Sequence, residues 1–358
     1  MRTDIRNKDY AISVTRLAAL SLVIGCHVFE YLGTCYPRYS SLLTPIGNYS
    51  SVGVQIFLLI SGYLYGKKKI RPGIPFILSN FWKILKDYYV HYLIFTIPLC
   101  LVFQAEQINA KSLWGMVTCW CTFGGEVQLW FIPYILFCYL ITPMLYEIRE
   151  WLVAGKNSAI KFCGLIIIIE LLFIEYDSYF IPAWICCYVI GYCFPFLVER
   201  YRSFLKPWMG GAMLILCLAC NVIKYYYRYI RGYMPNTINA LIWEGNFKAR
   251  ILNEFFNWSS VLLGIVIALA IYYTTKRILK YRTEKRTQIK WLDIADKYSY
   301  DIYICHMLYV KGMLSTIMIT PYIVVNLGVT VLLIAINGCL LYYICRPREL
   351  FGKIQRSK

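Results

Sequence analysis

Charge is scarce in this sequence, at 16% of its residues, and acidic charge is scarcer still, with 19 Asp and Glu against 37 Lys and Arg. Beside 59% hydrophobic and 17% aromatic residues, so little charge excludes an ordinary water-soluble globular chain and points to a polytopic membrane protein. No G-x-x-x-x-G-K-[ST] and no G-x-G-x-x-G run occurs, so the phosphate cradle of an ATP-driven pump or a dinucleotide enzyme is missing. The short-period alternation of a membrane β-barrel is absent too. Because unsatisfied backbone cannot face lipid, the spans that remain possible are helices.

What the chain does have is apolar runs. About ten of them recur, near 12–32, 50–66, 80–103, 128–147, 159–175, 180–198, 207–227, 251–274, 298–319 and 321–345, each able to cross about 30 Å of hydrocarbon at 1.5 Å per residue. The expected fold is therefore all-α and polytopic, one transmembrane domain over residues 1–358 with no soluble domain between the spans. The longest breaks, about 228–250 and 275–297, are loops with room for one interfacial helix each.

The basic residues set an orientation. One set of breaks holds Lys67, Lys68, Lys69 and Arg71, then Arg149, Arg200, the run from Lys276 to Lys290, and both chain ends. The other holds only Arg38, Lys111 and the cluster Lys224, Arg228, Arg231, Lys248 and Arg250. Positive charge stays inside, which predicts both termini in the cytoplasm. The net charge of +18 follows from this bias and from attraction to anionic lipid headgroups, so no nucleic-acid partner is expected. The cluster at 224–250, interleaved with Tyr225, Tyr226, Tyr227, Tyr229 and Tyr233, reads as an interfacial aromatic belt. An outward platform for an anionic or carbohydrate ligand is the alternative.

Most of the 15 cysteines lie inside apolar runs, as Cys26, Cys163, Cys186, Cys187 and Cys193 do, and there a thiol is a small hydrophobe. Cys217 and Cys220 have redox or metal spacing, yet they fall mid-span without His or Asp beside them, and read as packing; no metal site is expected. Cys35, Cys119 and Cys121 fall on the outer side, where pairing is open. The N-terminus mimics a signal peptide, but its apolar run is long, lacks a small-x-small cleavage site and carries Arg16 and His27, which makes it a retained first helix.

Arg16 and His27 are eleven positions apart, about three helical turns and within roughly 20° of one face, with a rise of roughly 16 Å. One wall of a cavity can carry both, Arg16 near the inner surface and His27 beyond the midplane. In isolation such residues snorkel or bond a neighbouring carbonyl. Their company argues for more: Ser61-Gly62 sits in a span where small residues allow close helix approach, and Lys83 and Lys86, three apart near the inner surface, suit phosphate.

Taken together, the arginine eleven before a histidine in the first span, the F-L-x-x-S-G-Y-L at 57–64 and the basic pair after it resemble the integral-membrane acyltransferase 3 family. Leu129-Trp130-Phe131 with Tyr134, Tyr139 and Pro143 is similar to a further motif of that family, and Ser299, Tyr303 and His306 to its S-x-x-x-Y-x-x-H. The motifs follow the family's order from Arg16 to His306. The resemblance implies a ten-helix O-acyltransferase of the plasma membrane. Such an enzyme takes an acyl group, usually acetyl from cytoplasmic acetyl-CoA, to a hydroxyl of a cell-surface glycan or glycolipid. By motif position His27 matches the essential histidine, Arg16 the first-helix arginine, and Lys83 and Lys86 the paired arginines that handle the donor. Departures are Ser13 where an aspartate is common, two lysines in place of two arginines, and Gln128 where a histidine is common.

The chemistry needs a base, an oxyanion partner and exclusion of water. His27 is the expected base or acyl relay, with His306 the second intramembrane histidine. Tyr303, Ser61 and Trp130 position the acceptor or the oxyanion, and Ser61 alternatively only packs. Asp301 and Lys311, ten apart, are expected to face other helices rather than each other. The expected partners are membrane lipid, acyl-CoA as co-substrate and a glycan or lipid-linked saccharide; no bound cofactor is expected. The alternative from another class is a glycan exporter or flippase without transfer chemistry.

Overall fold

A computed structural model describes residues 9–120, 124, 127–155, 157–173, 181–202, 206–280 and 289–349. Among them the regular structure is entirely helical, without a strand. In chain order the α-helices are α1 Tyr10–Cys35, α2 Ser40–Ser50, α3 Gly53–Gly66, α4 Ile74–His91, α5 Ile97–Phe103, α6 Ala110–Val117 and α7 Phe131–Val153. There follow α8 Ser158–Phe173, α9 Pro182–Arg200, α10 Pro207–Tyr225, α11 Pro235–Trp243, α12 Phe247–Ile278, α13 Lys290–Val310 and α14 Ile323–Cys345. Helix starts carry the expected chemistry: the Asp9 side chain accepts from the Ala11 N–H at α1, Asn109 caps α6 and Asn246 caps α12.

Each predicted apolar run overlaps a helix, although the run 298–319 is helical only to Val310. Among the described residues seven helical stretches are long and apolar enough to cross a membrane: α1, Pro37–Gly66, Gln128–Leu152, α9, Trp208–Ile230, α12 and α14. The remaining three runs fall on α4 with α5, on α8 and on α13. Helix α8 has 16 residues, while α4 and α13 carry charge that a hydropathy threshold rejects. Exposed Ile167 and Leu171 on α8, Ile215 and Val222 on α10 and Val324 and Val331 on α14 give the bundle an apolar outer surface of the kind hydrocarbon covers.

Helix α1 is central, packed against α2, α3, α12 and α13. The tightest seam joins α3 and α9. A Cβ on Gly62 would collide with the Tyr188 carbonyl, one on Gly66 with the Tyr192 carbonyl, and one on Gly191 with the Leu59 carbonyl. Small residues here let two backbones touch, and Ser61-Gly62 owes its packing role to Gly62.

Two departures from expectation concern the site. Helix α2 fills a stretch left as a break because its serines, Pro45 and Asn48 hide an apolar face; Gly47 packs it onto α1 at Cys26 and Glu30. Helix α13 spans Lys290–Val310 instead of 298–319. Its charged first turns were legible only as loop, yet their charges are paired inside the bundle: Asp293 accepts from Tyr10 at 3.2 Å and Asp296 from Arg16 at 2.8 Å. Beyond Val310 the chain leaves the helix, and its backbone is satisfied by side chains. Ser315 donates to the Val310 carbonyl, Asn326 to the carbonyls of Ile317 and Thr320, and Thr316 and Thr330 bond each other.

At the ends of α4 and α14 a buried ion cluster ties three helices. Arg346 reaches Asp87 of α4 at 2.6 Å and Asp301 of α13 at 3.5 Å, both carboxylates being almost fully buried. Asp301 and Lys311 thus do face different partners: Lys311 lies within electrostatic reach of His27 and Glu30.

Candidate active site

Arg16 anchors one end of the site. Its Nη1 lies 2.8 Å from Asp296 Oδ1, and the hydroxyl of Ser13 donates to the other carboxylate oxygen at 3.0 Å. The Arg16 counter-charge therefore comes from α13 rather than from position 13, where a serine now supports that same carboxylate. Beside this pair opens a cavity of about 300 Å³, lined by Arg16, Ser61, Lys68, Tyr139, Asp296 and Tyr303 among others. It lies where α1, α3, α4, α7 and α13 converge, with Phe57 and Phe131 as apolar wall.

The basic rim is a cluster. Lys68 stands 4.9 Å from the centroid of the Tyr65 ring. Protein crowding around its ammonium, and the charges of Lys83 and Arg16, hold its pKa below the ordinary lysine range. Lys83 donates to Asn80 Oδ1 at 3.1 Å, which also accepts from the Tyr65 hydroxyl at 2.7 Å. Lys86 behaves otherwise: it donates to the Cys345 carbonyl at the end of α14 at 3.1 Å and sits 3.5 Å from Asp87, a cation at a helix C-terminus. The structure thus separates the two lysines and brings Lys68 in with Arg16 and Lys83. Lys68 was hidden in the run Lys67-Lys68-Lys69, which reads as topology signal; Asp296 was hidden by lying outside the expected span.

Tyr303, in the wall of the cavity, separates it from the histidines, which do not line it. Its hydroxyl donates to the Gln128 carbonyl at 2.6 Å, and the Gln128 amide in turn donates to the Ile304 carbonyl at 2.9 Å. Gln128 therefore locks the start of the Leu-Trp-Phe segment to α13. The His306 ring is 5.7 Å from that of Tyr303 and 5.4 Å from that of His27, between centroids. His306 is fully buried. Its Nδ1 lies 2.5 Å from the Tyr303 carbonyl, an acceptor, so Nδ1 carries the proton and Nε2 keeps a lone pair. That Nε2 is buried with no hydrogen-bond partner among the described residues. His27 retains some exposure, 18% of its side chain, and its Nδ1 lies 3.9 Å from Glu30.

Of the other expected site residues, Ser61 lines the cavity and Trp130 does not. Trp130 stacks on Trp184 at 4.7 Å and braces Phe131, which does line it. A larger cavity of about 380 Å³ between α1, α3, α9 and α12 has an apolar lining with Lys276 at its edge, and lacks Arg16, Lys68 and Tyr303. Cys26, His27 and Glu30 place ligand-type atoms within 4.8 Å of one another, but the Cys26 thiol donates to Glu30 at 3.6 Å, so the group is already internally partnered. Cys35 and Cys119 are both free thiols, as are Cys217 and Cys220, and Cys121 lies outside the described residues.

A cavity with a basic rim, and two imidazoles packed behind its Tyr303 wall, suit transfer of a group from an anionic carrier to a nucleophile. No curated protein and no solved structure matches the chain. Residues 9–343, by contrast, match the family model described as the acyltransferase domain, nearly the whole chain, and this multi-pass membrane protein belongs to that acyltransferase family.

Proposed function

We propose that the protein is an O-acyltransferase of the plasma membrane that moves an acyl group, acetyl above all, from cytoplasmic acyl-CoA to a hydroxyl of a cell-surface glycan or glycolipid. In this reading the chain crosses the membrane ten times with both termini inside, α4 with α5, α8 and α13 supplying the three crossings that hydropathy alone rejects. Arg16, Lys68 and Lys83 hold the phosphates of CoA, and the thioester arm enters the cavity. Lys86 steadies the end of α14 instead.

The acceptor oxygen attacks the thioester carbonyl carbon while His27 takes its proton. As the C–S bond breaks, the CoA thiolate leaves and the imidazolium of His27 returns the proton to it. A positioned base of this kind contributes about 10² to 10⁴ in rate. Ser61 is the proposed donor to the developing oxyanion, because the Tyr303 hydroxyl is engaged with Gln128. Tyr303 then acts through His306, whose ring its backbone carbonyl orients.

What supports the reading most is a cavity that carries Arg16 and Lys68 together with Tyr303, whose ring packs 5.7 Å from that of His306, which in turn lies 5.4 Å from the ring of His27. The test uses purified protein in lipid, labelled acetyl-CoA and a mixed glycan-lipid extract, comparing wild type with His27→Ala. Label on a glycan from wild type alone supports both the activity and the base. An active His27→Ala protein overturns the base assignment, and loss of glycan export in cells with the remaining glycan still acylated overturns the enzyme reading in favour of an exporter.

A further inference from the structure

The cluster of cations at 224–250 divides in two. Tyr225, Tyr226 and Tyr227 are exposed, as an interfacial belt requires, and Lys248 is exposed with them. Lys224 is not: it is 5% exposed, its Nζ donates to the Ser260 hydroxyl of α12 and it stands 5.4 Å from the centroid of the Tyr49 ring. Arg228 follows where α10 runs on into the π-helical stretch Tyr226–Ile230, 5.1 Å over the Phe256 ring, with a buried Nε that has no hydrogen-bond partner. The charge of Arg228 acts on the Lys224 ammonium, and among the described residues no carboxylate lies within ion-pair distance of either.

A buried ammonium and a half-buried guanidinium held close without a paired anion are unfavourable alone and favourable around one. The π-helical stretch that follows Lys224 is a device common at binding sites. Hydrogen-bonding groups surround the pair: the Ser260 hydroxyl, the Tyr49 hydroxyl, which donates to the Asn221 carbonyl at 2.9 Å, and Tyr229, bonded to Asn48 at 2.6 Å. Outside lie exposed Val222, Ile223 and Ile230, a surface for acyl chains.

We propose that Lys224 and Arg228, with the hydroxyl of Tyr229, which accepts from Asn48 and keeps its own proton to donate, bind the phosphate of a membrane amphiphile, at the face of the bundle where α1 ends rather than where it begins. The site requires no transfer chemistry. It sits one helix from the histidine pair, since Gly47, beside Asn48, packs on α1 at Cys26 and Glu30. A phospholipid and a polyprenyl-phosphate glycan carrier share this phosphate chemistry, and the experiment separates them.

Detergent-purified protein is titrated separately with phosphatidylglycerol, a polyprenyl phosphate and phosphate-free diacylglycerol, with binding read by native mass spectrometry and by the rise in melting temperature. Wild type is expected to hold one equivalent of at least one phosphate amphiphile and to melt higher with it. Arg228→Gln and Lys224→Gln are expected to weaken that binding at least tenfold, Lys224→Arg to keep it, and Lys248→Gln to leave it unchanged. Preference for phosphatidylglycerol identifies a structural lipid; preference for the polyprenyl phosphate identifies the acceptor's carrier. Equal retention of diacylglycerol, or binding undiminished in both Gln variants, overturns the proposal. If Lys224→Gln fails to fold, Arg228→Gln, at a partly exposed position, decides alone.

Discussion

His27 and His306 face each other across the contact of α1 with α13, ring centroids 5.4 Å apart and planes tilted by 34°. The two rings are not equivalent. His306 is buried and pinned through Nδ1 to the Tyr303 carbonyl, whereas His27 keeps an exposed edge and a carboxylate nearby. On the proposed chemistry the pinned imidazole, with its free lone pair, shapes the site, and the one with room to gain and lose a proton is the base.

His27→Ala should lower kcat by about 10² to 10⁴ with a melting temperature close to that of wild type. His306→Asn can still donate to the Tyr303 carbonyl but loses the Nε2 lone pair, and its kcat should fall by about tenfold or more. Steady-state turnover of acetyl-CoA beside a thermal melt checks both; equal, small losses would remove the histidine pair from the mechanism.

Arg16→Ala should act on the donor. It removes a charge-assisted contact of about 1.5–3 kcal/mol, so the KM for acyl-CoA should rise by about ten- to a hundredfold with little change in the KM for the acceptor. Arg16→Lys should recover part of this, because a point charge replaces a fork. Separate titrations of the two substrates provide the check.

Lys68 supplies a pH signature. Its pKa is held below the ordinary lysine range by crowding and by Lys83 and Arg16, so it loses its proton at a lower pH than a free lysine does. Donor affinity should therefore fall as pH rises through that depressed value, earlier than an unperturbed lysine would allow. Lys68→Arg, which stays charged, should flatten the alkaline limb of the profile of kcat/KM for acyl-CoA.

The Asp87–Arg346 pair belongs to stability. Removing Arg346 leaves two almost fully buried carboxylates, Asp87 and Asp301, without their shared counter-charge, a loss of about 3–5 kcal/mol. Arg346→Ala should sharply lower the melting temperature in detergent, while Lys297→Ala, which breaks a 2.7 Å pair with Glu349 nearer the surface, should cost about 1 kcal/mol or less.

Gly62→Ala should be worse than its single added carbon suggests, because the new Cβ meets the Tyr188 backbone rather than a side chain that can move. Loss of folded protein on size exclusion, compared with Gly211→Ala, where the added carbon meets nothing, checks this.

Helix positions were legible because apolar runs of membrane length have one structural solution. The Arg16–His27 spacing was legible because both residues lie on one unbroken helix. What stayed hidden depends on contacts between helices. Asp296 looked like loop until Arg16 neutralised it, Lys68 was indistinguishable from Lys67 and Lys69, and Lys86 departed from Lys83 because the end of α14 offers it a carbonyl. Helix α2 was missed since Gly47 and Asn48 gain meaning only against α1 and Tyr229. Lys224 was counted with the surface cations because burial of a lysine stem and head leaves no trace in hydropathy.

The continuity of α1 from Tyr10 to Cys35 turns one helix into a ruler. With the anchor at Arg16 and the base at His27, a carrier is measured by the length of arm between its phosphates and its thioester. Adding a helical turn between them would lengthen the scale by about 5.4 Å. On the proposed chemistry, donors are sorted by reach: a carrier whose arm is too short stays bound at the mouth with its acyl group out of range, and discrimination needs no contact with the acyl group itself.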